Sequence, residues 1–142
     1  MARPLRINVA GGWYHVTARG QRRDKIFDEG PDYRRFLELV AEMRLRYRVR
    51  IRAYCLMPNH YHVLVSTPEG NLSRAMHWLN VSYSRWVNTQ RGQVGPVFQG
   101  RFQAVLLESG YALAVSRYIH MNPVSVSGAA RIVPARTLGQ VP

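Results

Sequence analysis

The segment from Met57 to Val65 alternates between two kinds of side chain, and this alternation constrains the fold more than any other stretch of the chain. In an extended strand, successive side chains point to opposite faces of the sheet, so His60 and His62 share one face. The opposite face carries Tyr61, Val63 and Val65. The segment therefore predicts a strand whose apolar face is covered by other elements, while its second face presents two imidazoles.

Two imidazoles side by side on a rigid strand can hold one divalent cation, and the remaining coordination positions can be offered to a phosphate. The alternative is that His60 and His62 simply face water. A His-x-His pair alone does not decide between these interpretations, so the metal hypothesis depends on signals elsewhere in the chain.

The strand before the histidines is also predicted by alternation. From Val49 to Leu56, the pattern places Val49, Ile51, Ala53 and Cys55 on one side and Arg50, Arg52, Tyr54 and Leu56 on the other. Pro58 and Asn59 favour a short turn. Strands two and three are therefore predicted to form a hairpin that delivers the histidines.

The other elements follow from local patterns. Trp13 to Arg19 alternates and predicts strand one, with His15, Thr17 and Arg19 on one side. Acidic residues and an early proline between Asp28 and Asp32 favour the start of helix one. Its predicted core face is Tyr33, Phe36, Leu37, Val40, Met43 and Tyr47.

Asn71 is a good cap for helix two, which is predicted from Leu72 to about Asn88. Its core face is predicted to be Leu72, Ala75, Met76, Leu79, Tyr83 and Trp86. Strand four is predicted from Val97 to Leu107, with Gln99, Arg101 and Gln103 sharing one side.

The resulting order is βαββαβ. Right-handed crossovers and un-knotted connections fold that order into an α+β, ferredoxin-like antiparallel sheet, with both helices on one face and strands one and three adjacent at the centre. The open face is then expected to gather His15, Thr17 and Arg19 beside His60 and His62.

The amino-acid composition limits the kinds of function that the chain can have. The 142 residues, 46% of them hydrophobic, predict a single domain over 1–142, with a core of about 12–128 and an irregular tail of about 129–142. The net charge is +12, and every basic residue except Lys25 is an arginine, which favours a polyanionic partner such as nucleic acid. The lone Cys55 and the absence of a long apolar run predict a cytoplasmic protein without a membrane partner.

A last helix is predicted from the Ser109 cap to the region of Pro123. On it, Tyr118 and Asn122 lie one turn apart on the same stripe. A carboxamide oxygen can complete a metal site begun by two histidines, and a phenol beside that metal can attack phosphorus. The alternative for Tyr118 is that it packs the helix against the sheet.

These residues resemble a known group, the single-tyrosine transposases of the IS200/IS605 type within the HUH superfamily, and most closely the REP-associated tyrosine transposases. The resemblance covers about residues 12–128. Four motif groups carry it: Tyr14-His15-Val16 with Arg19-Gly20 and Ile26-Phe27; Met57-Pro58-Asn59-His60-Tyr61-His62; Gln99-Gly100-Arg101-Phe102; and Tyr118-Ile119-His120-Met121-Asn122-Pro123-Val124.

The resemblance implies a role for each residue of the site. His60 and His62 correspond to the metal ligands, Asn122 to the third ligand, and Tyr118 to the tyrosine that becomes joined to the 5′ phosphate of cleaved DNA. The implied metal is Mg²⁺ or Mn²⁺. The implied substrate is single-stranded DNA with hairpins, nicked and rejoined by a monomer or homodimer in DNA transposition or in domesticated REP processing.

The basic composition adds expected DNA contacts from Arg19, Arg22, Arg23 and Arg101, with His15 and Thr17 on the open face beside them. The resemblance also implies a bacterial, nucleoid-associated protein. Family members often continue with a further basic, aromatic segment, whereas residues 131–142 are poor in both kinds of residue.

Two other functions are compatible with parts of the sequence. A non-catalytic module for single-stranded nucleic acid with an RRM-like sheet would use the same open face, but it would rely on exposed aromatics, and Trp13 is the only aromatic expected at the edge of that face. Hydrolysis at a zinc site would need a glutamate base and a third strong ligand that the sequence does not offer.

Overall fold

The structure is a computed structural model that describes residues 8–107 and the backbone of residues 132–134. The elements are β1 (Gly12–Arg19), a 3-10 turn (Gln21–Arg23), α1 (Gly30–Tyr47), β2 (Arg50–Met57), β3 (His60–Thr67), α2 (Leu72–Arg91), β4 (Gln103–Leu107) and β5 (Ile132–Pro134). The predicted last helix, with Tyr118 and Asn122, lies outside the described residues.

The strands form one antiparallel sheet in the order β4-β1-β3-β2-β5, which confirms the predicted α+β, βαββαβ architecture with β1 and β3 adjacent. The register between β1 and β3 places Thr17 opposite His62 and Arg19 opposite His60. The side chains predicted to share the open face are therefore neighbours across two hydrogen-bonded strands.

Both helices cover the same face of the sheet. The main core joins alternate residues of β1 and β3 to the buried faces of the helices, represented by Val16 and Val63 on the sheet and by Phe36, Val40 and Met76 on the helices. The predicted core faces are largely confirmed, but Leu39 of α1 and Val87 of α2 are buried in addition, and Trp86 is only partly buried.

The two helices begin in different ways. At α1, the carboxylate of Asp32 accepts hydrogen bonds from the backbone N–H groups of Asp28 and Glu29, as expected for an acidic first turn. Asn71 precedes α2 as predicted, but its side chain does not cap that helix. Its amide donates to the Tyr47 carbonyl, and Asn8 Oδ1 instead accepts from the Ser73 N–H.

Along the described part of the chain, neither helix combines the length and the apolar character that crossing a membrane requires.

The predicted faces of β2 are wrong beyond Ile51. The register with β3 shifts between Ile51 and Ala53, so one extra residue, Arg52, is inserted as a β-bulge. The insertion reverses the alternation. Tyr54 and Leu56 join Ile51 in the main core, and a second buried cluster forms on the opposite face from Ala53, Cys55, Met57 and Leu64, with Trp13 and Leu107 packed against it.

Strand four is shorter than predicted. β4 begins at Gln103, because residues 97–102 form a connecting segment in which Gly100 has a positive φ of 65° and turns the chain. This segment still touches the end of β1, since the Gln99 N–H donates to the Arg19 carbonyl at 2.8 Å. The strand β5, which pairs with β2, was not predicted.

We predict that Tyr83→Phe lowers the free energy of unfolding by about 1–3 kcal/mol, because a buried acceptor is left without its donor. The Tyr83 hydroxyl is fully buried and donates to the Ile26 carbonyl at 2.5 Å, which ties α2 to the segment after β1. Urea unfolding of the two proteins measures the difference.

Tyr33→Phe is the matched control. Tyr33 is only partly buried, and among the described residues its hydroxyl makes no hydrogen bond, so removing it is expected to leave stability nearly unchanged. Equal losses in the two variants would contradict the assignment of the Tyr83 effect to its hydrogen bond.

Candidate active site

Three imidazoles meet on the open face of the sheet. His15 on β1 and His62 on β3 are joined by a contact of 3.0 Å between His15 Nε2 and His62 Nδ1. The ring centroids of His60 and His62 are 5.0 Å apart, with the rings nearly perpendicular. The sheet therefore brings together the predicted pair and adds His15 as a direct partner of one member.

The hydrogen bond of His60 fixes which of its nitrogens is available. His60 Nδ1 lies 2.8 Å from Asn59 Oδ1, and a carboxamide oxygen can only accept, so Nδ1 carries the proton. In the neutral ring, Nε2 then has a free lone pair. This is the arrangement seen when a metal-binding histidine is oriented by a carbonyl partner.

The contact between His15 and His62 allows two proton arrangements. Either His62 Nδ1 donates to His15 Nε2, or His15 Nε2 donates to His62 Nδ1. In a neutral ring, only the first arrangement leaves His62 Nε2 without a proton and therefore able to act as a metal ligand. For His62 to bind a cation through Nε2, His15 must therefore act as the acceptor that holds the tautomer.

Burial keeps these rings neutral. Desolvation, together with the neighbouring His60, His15 and Arg19, lowers the pKa of His62 to about 4. Burial followed by the charge of Arg19 lowers the pKa of His60, and burial lowers the pKa of His15. At neutral pH the imidazoles are thus unprotonated, which is the form that binds metal.

Basic and amide side chains surround the imidazoles in a cleft of about 560 Å³, here called the histidine cleft. Its lining consists of Thr17, Ala18, Arg19, His60, His62, Gln99, Arg101 and Gln103. No acidic side chain is among these residues. The cleft therefore suits an anionic ligand that contacts a cation on one side and guanidinium groups on the other.

The described residues supply part of a metal site but not a complete one. Within residues 8–107, no group of three His, Cys, Asp or Glu side chains is arranged to hold a metal ion. His60 and His62 supply two nitrogen ligands, so further ligands must come from another part of the chain, from water or from substrate. Asn122, the predicted third ligand, lies outside the described residues.

The turn that carries the histidines is held from behind by main-chain hydrogen bonds. The Gly20 N–H donates to the Asn59 carbonyl at 2.8 Å, and the N–H groups of Ile26 and Phe27 both donate to the Pro58 carbonyl, at 2.7 and 3.0 Å. A Cβ on Gly20 would collide with the Asp24 carbonyl oxygen, so only glycine fits there. The first two motif groups of the sequence are therefore parts of one structural unit.

The structure brings together most of the predicted site residues. Arg19, Thr17 and Arg101 line the cleft with the histidine pair, and His15 reaches it through His62. Arg22 and Arg23 are exposed in the 3-10 turn and do not line the cleft. Sequence reasoning missed the role of Asn59 as partner of His60, although the residue lies inside the motif.

The fold and the paired histidines define a class of protein that carries a His-x-His site on an open antiparallel sheet. A family profile described as "Transposase IS200 like" matches residues 8–122, most of the chain. The chain therefore belongs to the IS200-like transposase family.

Two solved structures share the fold. A REP-associated tyrosine transposase bound to a REP hairpin superposes with a TM-score of 0.70 at 19% identity, covering 87% of this chain and 73% of its own. A second match is the crystal structure, at 1.90 Å resolution, of a protein from Deinococcus radiodurans R1 that is described as a transposase. It superposes with a TM-score of 0.54 at 17% identity, and the match covers 83% of this chain and 95% of that chain. No curated protein matches the chain significantly.

We predict that Asn59→Ala weakens the binding of Mn²⁺ by about 10–100-fold, the usual effect of removing the partner that orients a metal-binding histidine. The variant loses the acceptor of the His60 Nδ1 proton while both imidazoles remain. Electron paramagnetic resonance of free Mn²⁺ gives the affinity directly.

Asn59→Asp keeps an oxygen acceptor at the same place and is expected to retain binding. His77→Ala removes an exposed histidine of α2 and serves as the control for general loss of imidazole. Unchanged Mn²⁺ affinity in Asn59→Ala would contradict the orienting role of Asn59.

Proposed function

We propose that this protein is a metal-dependent DNA strand transferase that nicks and rejoins single-stranded DNA through a covalent 5′-phosphotyrosine. The observation that carries the proposal is a pair of neutral, hydrogen-bonded histidines in an arginine-lined cleft, in a chain of the IS200-like transposase family. The biological role we propose is DNA transposition or the processing of REP-type elements by a domesticated enzyme.

His60, His62 and Asn122 would hold Mg²⁺ or Mn²⁺. Bound there, the ion would polarise the scissile phosphate and stabilise negative charge on its oxygens. The chain's own contribution is to keep both imidazoles neutral, through burial and the nearby charge of Arg19, and to hold their tautomers through the Asn59 and His15 partners. Arg19 and Arg101 line the same cleft and would bind the phosphates on either side of the cleavage point.

Tyr118 would act as the nucleophile. Its phenolic oxygen forms a bond to phosphorus while the bond from phosphorus to the 3′ oxygen breaks. The phenol gives up its proton and the departing 3′ oxygen takes one up, so the step is balanced without another reactant. A 3′ hydroxyl can later attack the phosphotyrosine and release Tyr118, so the rejoining step requires no external energy source.

The partner we propose is single-stranded DNA that contains a hairpin. The structural neighbour bound to a REP hairpin supports this choice, together with the net charge of +12. The exposed Arg22 and Arg23 lie outside the histidine cleft, in the turn that follows β1. We propose that they contact DNA phosphates beyond the cleavage point, with His15 acting through His62 and Thr17 lying beside the bound strand.

We predict that the protein forms a covalent adduct with a labelled, hairpin-bearing oligonucleotide in the presence of Mg²⁺ or Mn²⁺, visible on a denaturing gel. Tyr118→Phe is expected to abolish the adduct because the attacking oxygen is missing. His60→Ala and His62→Ala are expected to abolish it because the ligand pair is broken, and Arg34→Ala, at an exposed arginine of α1 outside the cleft, is expected to retain it.

Thermal unfolding of each variant shows that the fold is intact. Persistence of the adduct in Tyr118→Phe would overturn the assignment of the nucleophile. Mixing Tyr118→Phe with His62→Ala also reports on assembly, because recovery of the adduct requires one subunit to supply Tyr118 to the histidines of another.

A further inference from the structure

A second cavity lies next to the histidine cleft. It has a volume of about 670 Å³ and lies between α2 and the segment of residues 96–102. We call it the α2 groove. Its volume falls within the range of about 300–1,000 Å³ that is typical of sites for small organic groups, so it can hold a nucleotide.

One wall of the α2 groove is basic. Arg74 and Arg85 are exposed on α2, and their spacing places them along one stripe of the helix. Across the described residues, all ion pairs are made by other arginines, with carboxylates of α1, Asp28 and Glu69. The sequence from Gly70 to Leu107 contains no acidic residue at all. The positive charge of this wall is therefore available to an anionic partner.

The opposite side of the groove is apolar, with amide and hydroxyl groups beside it. Pro96 and Val97 contribute accessible apolar surface beside the largely buried Phe98 and Phe102, while Asn80 and Ser84 contribute polar groups from α2. Apolar surface can pack against the faces of bases, guanidinium groups can donate hydrogen bonds to phosphates, and amides can form hydrogen bonds with base edges. The combination suits a nucleotide better than it suits an acidic peptide.

Two features connect the α2 groove to the histidine cleft. Arg101 lines both cavities, so the two adjoin at this side chain. The hydroxyl of Tyr61, which lies between His60 and His62 in sequence, donates to Asn80 Oδ1 at 2.6 Å. The wall of the groove is thus attached to the strand that carries the imidazoles.

We propose that the α2 groove binds a single-stranded segment of the substrate DNA that flanks the cleavage point. The inference rests on the proposed function for the identity of the polymer, and it adds the path that the polymer takes across the protein. Arg74 and Arg85 bind its phosphates, Arg101 marks the crossing between cleft and groove, and the apolar surface of Pro96 and Val97 receives base faces.

The test measures binding without cleavage. The full chain carrying Tyr118→Phe is titrated, in EDTA, into a fluorescein-labelled hairpin oligonucleotide. The hairpin is used alone, or with a single-stranded arm of about eight nucleotides on its 5′ or its 3′ side, a length within the range that single-strand binding sites cover. Fluorescence anisotropy gives the dissociation constants. The arm on one side is expected to tighten binding.

Adding Arg74→Ala and Arg85→Ala is expected to remove most of that gain, about tenfold in affinity. The dependence of log affinity on log salt should fall by about 1.4, since each phosphate contact with a single strand contributes about 0.7. Arg34→Ala, an exposed arginine of α1 outside both cavities, is the control and is expected to keep the gain.

A gain that survives in the double variant would overturn the proposal, as would competition by oligoglutamate equal to that of oligothymidylate of the same length. As a second measurement, 5-iodouracil placed in the arm is expected to crosslink to residues that line the α2 groove, on α2 or in the segment 96–102, and crosslinking confined to other regions would overturn the proposal. Because neither measurement requires cleavage, a failed adduct assay would refute the catalytic proposal alone.

Discussion

The antiparallel pairing of β1 with β3 is the constraint on which the site depends. The two-residue period of a strand places His60 and His62 on the open face only while Tyr61, Val63 and Val65 face the helices. A slip of one residue would exchange the faces and bury two imidazoles in an apolar core. The burial of the apolar set therefore fixes the position of the polar set, so the same contacts stabilise the fold and place the histidines.

The proposed function places two opposing electrostatic requirements on the histidine cleft. Metal binding needs neutral imidazoles, whereas phosphate binding needs fixed positive charge nearby. Arg19 meets the second requirement and also favours the first, because its charge lowers the pKa of His60 and His62 in addition to the effect of burial. A carboxylate at the same place would reverse both effects, and the lining of the cleft contains none.

The alternation of polar and apolar residues was enough to predict the sheet, the neighbours of the histidines and the faces of the helices, because these depend on periodicity alone. The β-bulge at Arg52 was not predictable, since one inserted residue changes the phase of the pattern without changing its composition. The connecting segment before β4 was mistaken for strand because its polar residues alternate, although Gly100 turns the chain. The partner of His60 was missed because a side-chain contact between adjacent residues has no periodic signature. The positions of Tyr118 and Asn122 remain predictions.

The segment between β1 and α1 holds the turn at Pro58 and Asn59 through hydrogen bonds from its main chain. The donors are the N–H groups of Gly20, Ile26 and Phe27, while four of the five residues between Gly20 and Ile26, namely Arg22, Arg23, Asp24 and Lys25, expose their side chains to solvent. Hydrogen bonds made by main-chain N–H groups do not depend on the identity of the exposed side chains. Relatives can therefore exchange these side chains during evolution while the turn that carries the histidines keeps its shape.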